Sequence, residues 1–127
     1  MTVEDEILKL RFISRIGLAL IDFIQSIQPI GNFQFESNSW VYRPNNFVAF
    51  DIHYQRANNI TLSLRGQPNE FDHYTSLPIY AGRGNYSRCK IESSNQLDAA
   101  AYYIRRALEL YNRGRTRAIR SEKRIEQ

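Results

Sequence analysis

The sequence predicts an α+β fold, an antiparallel sheet of about four strands with an N-terminal and a C-terminal helix packed on one face. Two observations support this prediction. An amphipathic helical stripe of apolar residues lies toward each end of the chain, and period-two alternation dominates the stretch between them. Consecutive strands flanked by helices are typical of an antiparallel sheet that is covered on one face. We therefore expect one domain over residues 1–114 and a basic C-terminal tail over residues 115–127.

The first predicted helix spans about Val3 to Gln28, where apolar residues recur at spacings of three and four. Thr2, with Asp5 three residues later, predicts its N-terminal cap. Pro29 is expected to end it. The second half of this helix is apolar on more than one face, which indicates either burial between two surfaces or a dimer contact.

The predicted strands lie between this helix and residue 91. Two aromatic pairs with period two come first, at 33–35 and 40–42. The clearest alternation follows over residues 47–54 and 60–65, which predicts a hairpin of two adjacent antiparallel strands. A fourth short strand is predicted over residues 86–91. The stretch between the hairpin and this strand is long and irregular, and such a stretch in a compact domain is functional, mobile or wrongly assigned.

The second predicted helix follows Ser93, which has capping-box spacing to Gln96. An apolar stripe continues from there to about Arg113. Gly114 is available as the C-terminal stop of this helix.

The chain resembles known domains in the order of its elements and in several short segments. These segments are Tyr42-Arg43, Phe47–Ile52, Leu62-x-Leu64, Gly82-x-Gly84 and the helix from Ser93 to Tyr111. On these segments the chain resembles a small uncharacterised α+β domain found beside predicted nucleases. More distantly, it is similar to the YjbR-like double-wing fold. Neither family supplies a catalytic residue to carry over. The resemblance implies the same α+β fold and a lean toward nucleic-acid biology.

Composition excludes several classes of protein. The chain is 43% hydrophobic and 13% aromatic, well above what a disordered chain carries. Its one cysteine, Cys89, excludes an intramolecular disulfide and indicates a reducing compartment. Cys89 has inward parity in its strand, which predicts a buried core residue rather than a nucleophile. The longest apolar region is interrupted by polar residues, and the N-terminus is acidic, so we expect a cytoplasmic protein with no membrane contact.

The net charge of +4 resides in the last fifteen residues. Residues 1–112 contain eleven Lys and Arg against eleven Asp and Glu, whereas residues 113–127 contain six against two. Clustered cations neutralise phosphates and give salt-sensitive, largely sequence-independent binding. The nucleic-acid contacts predicted in this stretch are Arg113, Arg115, Arg117, Arg120, Lys123 and Arg124. A solvated tail and a short helix for a protein partner are the alternatives.

The outer face of the predicted sheet is a second candidate contact surface. If the apolar sides of the strands face the helices, the opposite face is polar and partly basic. Its cations Arg65, Arg88 and Lys90 are predicted nucleic-acid contacts, with Tyr86 as an aromatic neighbour. An open sheet face of this kind can hold phosphates and stack bases. The alternative is an ordinary solvated face, which antiparallel sheets commonly have.

Catalytic signals are weak, and we predict no catalytic residue, metal site or cofactor. Asp51 with His53, and Glu70 with Asp72 and His73, offer the oxygens and imidazoles that metals bind, but their spacing selects no site. The segment 82–84 has two glycines around an arginine. It precedes a predicted strand rather than a helix, which favours a turn over a phosphate-binding loop.

Three classes of function remain open. The favoured one is a non-enzymatic accessory or binding module that contacts nucleic acid through the basic tail and the outer sheet face. The alternative is a protein-interaction or self-association domain, such as a homodimer, that uses the hydrophobic N-terminal helix together with Trp40 and the paired tyrosines Tyr102 and Tyr103. The third is an enzyme with a pocket lined by Arg43, His53, His73 and Arg83.

Overall fold

The computed structural model describes the backbone of residues 1–126 and the side chains of residues 1–114. The helices within this range are α1 (Val3–Ile7), α2 (Ser14–Ile27) and α3 (Leu97–Glu126). The strands are β1 (Asn32–Glu36), β2 (Ser39–Arg43), β3 (Val48–His53), β4 (Asn59–Arg65), β5 (Tyr80–Ala81) and β6 (Tyr86–Ile91). They form one antiparallel sheet in the order β1-β2-β3-β4-β6-β5. The predicted α+β class is confirmed.

The sheet has six strands, so the predicted number of about four is wrong. The two aromatic pairs belong to separate strands, β1 and β2, which are joined by the two-residue turn Ser37-Asn38. Both turn residues have positive φ, at 50° and 67°, as a tight hairpin with the twist of its strands requires. The sixth strand, β5, has two residues and pairs with β6. A strand this short contains no periodicity that a sequence could reveal.

The first predicted helix is interrupted at residues 8–13, so a single helix in this region is wrong. In the interruption, the backbone N–H of Arg11 donates to Asn58 Oδ1 on the β3–β4 turn at 2.5 Å. Leu10 and Ile13 are nevertheless buried. The apolar stripe that predicted one long helix is therefore buried by a bent chain, and the contact with the β3–β4 turn replaces helical hydrogen bonds.

The predicted capping signals are confirmed at both terminal helices. The backbone N–H of Asp5 donates to Thr2 Oγ1 at 3.1 Å, and the backbone N–H of Thr2 donates to the Asp5 carboxylate at 2.9 Å. These hydrogen bonds hold the pKa of Asp5 below its usual value. Ahead of α3, the backbone N–H of Ser93 donates to Gln96 Oε1 at 3.2 Å.

Helix α3 continues to Glu126, so the predicted helix end at Gly114 is wrong. A glycine inside a helix costs only about 1 kcal/mol relative to alanine. Arginine, alanine, glutamate and lysine dominate the residues that follow Gly114, and all four have favourable helix propensity. The glycine alone is therefore too weak a signal to stop this helix.

The hydrophobic core lies between the inner face of the sheet and the helices. Alternate residues of the central strands point to this face and are buried; they are Val48, Phe50, Ile52, Ile60, Leu62, Leu64, Cys89 and Ile91. Buried residues of α2 and α3 belong to the same cluster, including Leu20, Ile24, Tyr103 and Ile104. The predicted parity of the hairpin is confirmed. Side chains of the opposite parity form the outer face.

Residues 67–85 are packed against α3 and do not form an open loop. Phe71 and Leu77 are buried in this stretch. The Tyr103 hydroxyl accepts a hydrogen bond from the backbone N–H of Tyr74 at 3.0 Å and donates to the carbonyl of Leu77 at 2.7 Å. The end of the stretch reaches the outer face of the sheet, through residues 83–85 and through Tyr80, which is opposite Arg88 in the β5–β6 pair.

Candidate functional site

An open groove with a volume of about 880 Å³ crosses the outer face of the sheet. Strands β2, β3, β4 and β6 and the turn before β6 all contribute to it. Its charged lining residues are Glu36, Arg43, Asp51, His53, Arg65, Arg83 and Arg88. Four guanidinium groups thus accompany two carboxylates, and the groove has an excess of positive charge.

Both carboxylates of the groove are already paired with arginines. Arg43 donates to Glu36 through Nε at 2.7 Å and through Nη2 at 2.9 Å. This bidentate pair lowers the pKa of Glu36 and raises that of Arg43. Arg88 Nη2 lies 3.3 Å from Asp51 Oδ2, and the Ser39 hydroxyl also donates to Asp51. The positive charge available to a ligand must therefore come from the other cations.

Three cations of the outer face have no carboxylate within ion-pair distance among the described side chains, namely Arg65, Arg83 and Lys90. The Arg65 guanidinium lies 5.9 Å from the centroid of the Tyr86 ring, which is its cross-strand neighbour. The Tyr86 hydroxyl donates to the carbonyl of Asn46 at 2.9 Å and so holds the ring in place. The groove thus presents an aromatic ring with a cation against it.

The groove adjoins the point at which α3 enters the basic stretch of the chain. A Cβ atom at Gly114 would lie 3.9 Å from Nη2 of Arg65. Arg113, the residue before Gly114, is exposed. Arg65 and Gly114 are far apart in sequence, so this proximity was not predictable from the pattern of charges.

The structure places four of the predicted nucleic-acid contacts. Arg65 is half-buried on the outer face, Arg88 and Lys90 are exposed there, and Arg113 is exposed on α3. The remaining predicted contacts lie outside the residues whose side chains are described; they are Arg115, Arg117, Arg120, Lys123 and Arg124.

Arg43 and Arg83 also line the groove, although the sequence suggested them only for an enzyme pocket. The parity of Arg43 on β2 would have placed it on the outer face once the β1–β2 hairpin was known. Arg83 reaches the groove from the turn before β6. No periodicity signals the position of a turn residue of this kind.

The four residues of the hypothetical enzyme pocket do not converge. Arg43, His53 and Arg83 line the groove on the outer face. His73 lies on the side of the helices, where its Nε2 is 2.8 Å from the carbonyl oxygen of Pro68. Among the described residues, no three His, Cys, Asp or Glu side chains form a group that could hold a metal ion. Three of the four residues thus share the outer-face groove, whereas His73 does not line it.

The apolar side chains of α2 are directed into the protein, which bears on self-association. Leu20, Ile21 and Ile24 are buried in the core. Phe23 is half-buried, with the Arg105 guanidinium of α3 at 5.5 Å from its ring. This agrees with the expectation that the helix is buried between two surfaces. Large apolar side chains that are exposed in the described region lie outside α2. Leu8 and Phe12 precede α2 within the span predicted as the first helix, and Ile30 and Phe35 follow it.

Trp40 is also buried and does not belong to an exposed surface. Its side chain is 6% exposed, and its Nε1 donates to the Glu6 carboxylate at 2.7 Å. Self-association through the N-terminal helix and Trp40 stays a prediction. Within the span predicted as that helix, Leu8 and Phe12 are exposed, whereas Trp40 is buried.

Cys89 is fully buried on the inner face of β6, as its parity predicted. Burial raises the pKa of its thiol to about 12. Because the thiolate is the reactive species, we expect the native protein to react with a disulfide reagent such as DTNB at pH 8 at least about 100-fold more slowly than the unfolded protein. Equal rates for the folded and unfolded chains, followed by absorbance, would show that the thiol is accessible.

Comparison with known proteins finds no matching family model, curated protein or solved structure. The resemblance to the domain found beside predicted nucleases and to the YjbR-like double-wing fold therefore stays a prediction. In the part of the chain that the structure describes, no helix has both the length and the apolar character needed to cross a membrane. Fold and site together define an α+β protein with an open, cation-rich sheet face.

Proposed function

We propose that the protein is a non-enzymatic accessory module that binds nucleic acid through the outer sheet face and the basic C-terminal stretch. The observation that carries this proposal is the position of Arg65 beside Gly114. It brings a cation of the sheet next to the residue after which the basic C-terminal stretch begins. A phosphate backbone spans several charges and is bound best by cations that follow one another along a surface.

The distribution of paired and unpaired charges supports binding of a polyanion. Residues 1–112 have balanced charges. Arg65, Arg83 and Lys90 nevertheless remain without a carboxylate partner among the described side chains, and all lie on the outer face or at its rim. Attraction for phosphates therefore depends on how these unpaired cations are arranged on the surface. Binding should weaken as the salt concentration rises, because it releases counterions from the nucleic acid.

The chemistry of the groove favours single-stranded over double-stranded nucleic acid. The Tyr86 ring and the Arg65 guanidinium are flat groups on which an unpaired base can stack. The carboxylates of Glu36 and Asp51 can accept hydrogen bonds from the amino groups of unpaired bases, whose whole Watson–Crick edge is accessible. In a duplex the flat faces of the bases are stacked on one another, so they are not available to Tyr86 and Arg65.

Fluorescence anisotropy with a labelled single-stranded oligonucleotide at low salt tests the role of the groove. We expect Arg65→Gln to weaken binding about tenfold, because it removes both a cation and a stacking surface. Arg15→Gln is the matched control, since Arg15 is exposed on α2, which packs on the inner face. Its affinity should equal that of the wild type.

Each outcome of this experiment has a separate meaning. Equal affinities for wild type and Arg65→Gln, with unchanged thermal denaturation, would show that the groove is not part of the nucleic-acid interface. Absence of binding by the wild-type chain at low salt would contradict the proposed function as a whole. Tighter binding of a duplex than of either of its strands would contradict the preference for single strands.

A further inference from the structure

A second hollow, with a volume of about 590 Å³, lies on the outer face beside the turn between β3 and β4. Its polar lining comprises His53, Gln55, Arg56, Asn59, Thr61 and Lys90. Among the described residues that line it there is no carboxylate. In this respect it differs from the larger groove, where two carboxylates neutralise two arginines.

The register of the sheet brings these polar residues together. His53 is opposite Asn59 in the β3–β4 pair, and Thr61 is opposite Lys90 in the β4–β6 pair. Residues opposite each other in antiparallel strands have Cβ atoms about 5 Å apart. Asn59 and Thr61 also share one face of β4. The side chains of the two pairs therefore form a compact group, and Arg56 approaches it from the turn.

The three basic groups of the hollow are not neutralised by neighbours. His53, Arg56 and Lys90 are exposed, and none has a carboxylate within ion-pair distance among the described side chains. Asp51, which lies opposite Thr61 on β3, is instead bound by Arg88 and by the Ser39 hydroxyl. The hollow therefore presents positive charge to solvent.

Two buried polar side chains complete the hollow. Asn59 and Thr61 are each 8% exposed, although both lie on the outer face. Asn59 Oδ1 has no hydrogen-bond partner, which is uncommon for a buried polar atom and needs an explanation such as a ligand or a bound water. Rotation of the amide exchanges its oxygen and nitrogen, so Asn59 can offer N–H donors as well as an acceptor.

We propose that this hollow binds a phosphomonoester dianion. A phosphomonoester has a charge of about −1.5 to −2 at pH 7 and three strong acceptor oxygens. Those oxygens match the donors of Arg56, Lys90 and the Thr61 hydroxyl. A backbone phosphodiester has a single negative charge, so a carboxylate-free hollow with several cations favours the monoester.

The monoester has two possible sources, a small molecule such as a nucleoside monophosphate or the terminal phosphate of a nucleic-acid strand. The second source rests on the proposed function. It is geometrically available because the hollow and the larger groove share Ile52 and His53 in their linings. A nucleic-acid strand bound in the groove would thus bring its terminal phosphate into the hollow.

Isothermal titration calorimetry of the full chain with 5′-AMP, in a phosphate-free buffer, tests the hollow itself. Adenosine is the matched ligand that lacks the phosphate. We expect AMP to bind and adenosine not to bind, with inorganic phosphate competing against AMP. Arg56→Gln and Lys90→Gln should each weaken AMP binding about tenfold, whereas Arg15→Gln should have no effect. The proposal is overturned if AMP and adenosine behave alike, or if both variants retain wild-type affinity.

Two oligonucleotides that differ only in a terminal phosphate distinguish the sources. A strand end that occupies the hollow should make the phosphorylated oligonucleotide bind about tenfold more tightly, and Arg56→Gln should abolish this gain. Binding of AMP without such a gain assigns the hollow to a small molecule. If AMP does not bind and the two oligonucleotides bind equally well, the proposed phosphomonoester site is contradicted. The proposed function is then left intact.

Discussion

Replacing Gly66 with alanine is expected to lower the free energy of unfolding by about 3 kcal/mol. Gly66 follows β4 and has a φ of +124°, a backbone conformation that residues with a side chain rarely adopt. A Cβ atom at this position would lie 2.5 Å from Leu110 Cδ1 and 3.0 Å from Phe71 Cε2. The substitution therefore combines backbone strain with overpacking between α3 and the stretch that follows β4.

Gly84→Ala is the matched control for this prediction. Gly84 also has positive φ, at +60°, but a Cβ atom there would meet no atom within 4 Å. We expect it to cost only about 1 kcal/mol, the price of the left-handed conformation alone. Urea denaturation of both variants measures the difference. Equal losses in the two variants would contradict close packing around Gly66.

Neutralising the basic C-terminal stretch is expected to weaken binding to single-stranded nucleic acid about a hundredfold at 0.1 M salt. The variant replaces five predicted contacts with glutamine in the full chain, at Arg115, Arg117, Arg120, Lys123 and Arg124. Each cation that contacts a phosphate releases a counterion, so the loss of five cations should also flatten the salt dependence. Anisotropy at several salt concentrations measures both effects.

Conservative replacement of the arginines separates charge from side-chain shape. A second variant changes to lysine the four arginines of that set, Arg115, Arg117, Arg120 and Arg124, and so preserves the charge of the C-terminal stretch. Because backbone binding is largely electrostatic, we expect the affinity of this variant to stay within about threefold of wild type. A loss as large as that of the glutamine variant would show that guanidinium geometry, rather than charge, controls binding.

The parts of the fold that the sequence predicted are those with long, regular patterns. The alternation over β3 and β4 placed Phe50 and Leu62 on the inner face, where both are buried. The errors fall where a pattern is short or where a tertiary contact overrides it. The Arg11–Asn58 hydrogen bond accompanies a break in an apolar stripe that is otherwise helical. The two-residue strand β5 has no period to detect.

The candidate site was predictable only in part, for a different reason. Strand parity is enough to place Arg65, Arg88 and Lys90 on one face. Which cations remain unpaired depends on the pairing of strands, because the ion pair between Arg88 and Asp51 joins β6 to β3 across β4. Likewise, the proximity of Arg65 to Gly114 follows from the packing of α3. No local pattern encodes contacts of this kind.

The salt dependence of oligonucleotide binding by the full wild-type chain tests the central claim most directly. Contacts to at least four phosphates of a single strand predict that the logarithm of the association constant falls linearly with the logarithm of salt concentration, with a slope of about −3 or steeper. Anisotropy titrations at several salt concentrations give this slope. No binding at the lowest salt, or binding that is independent of salt, would contradict the proposal that this cationic surface holds a nucleic-acid backbone.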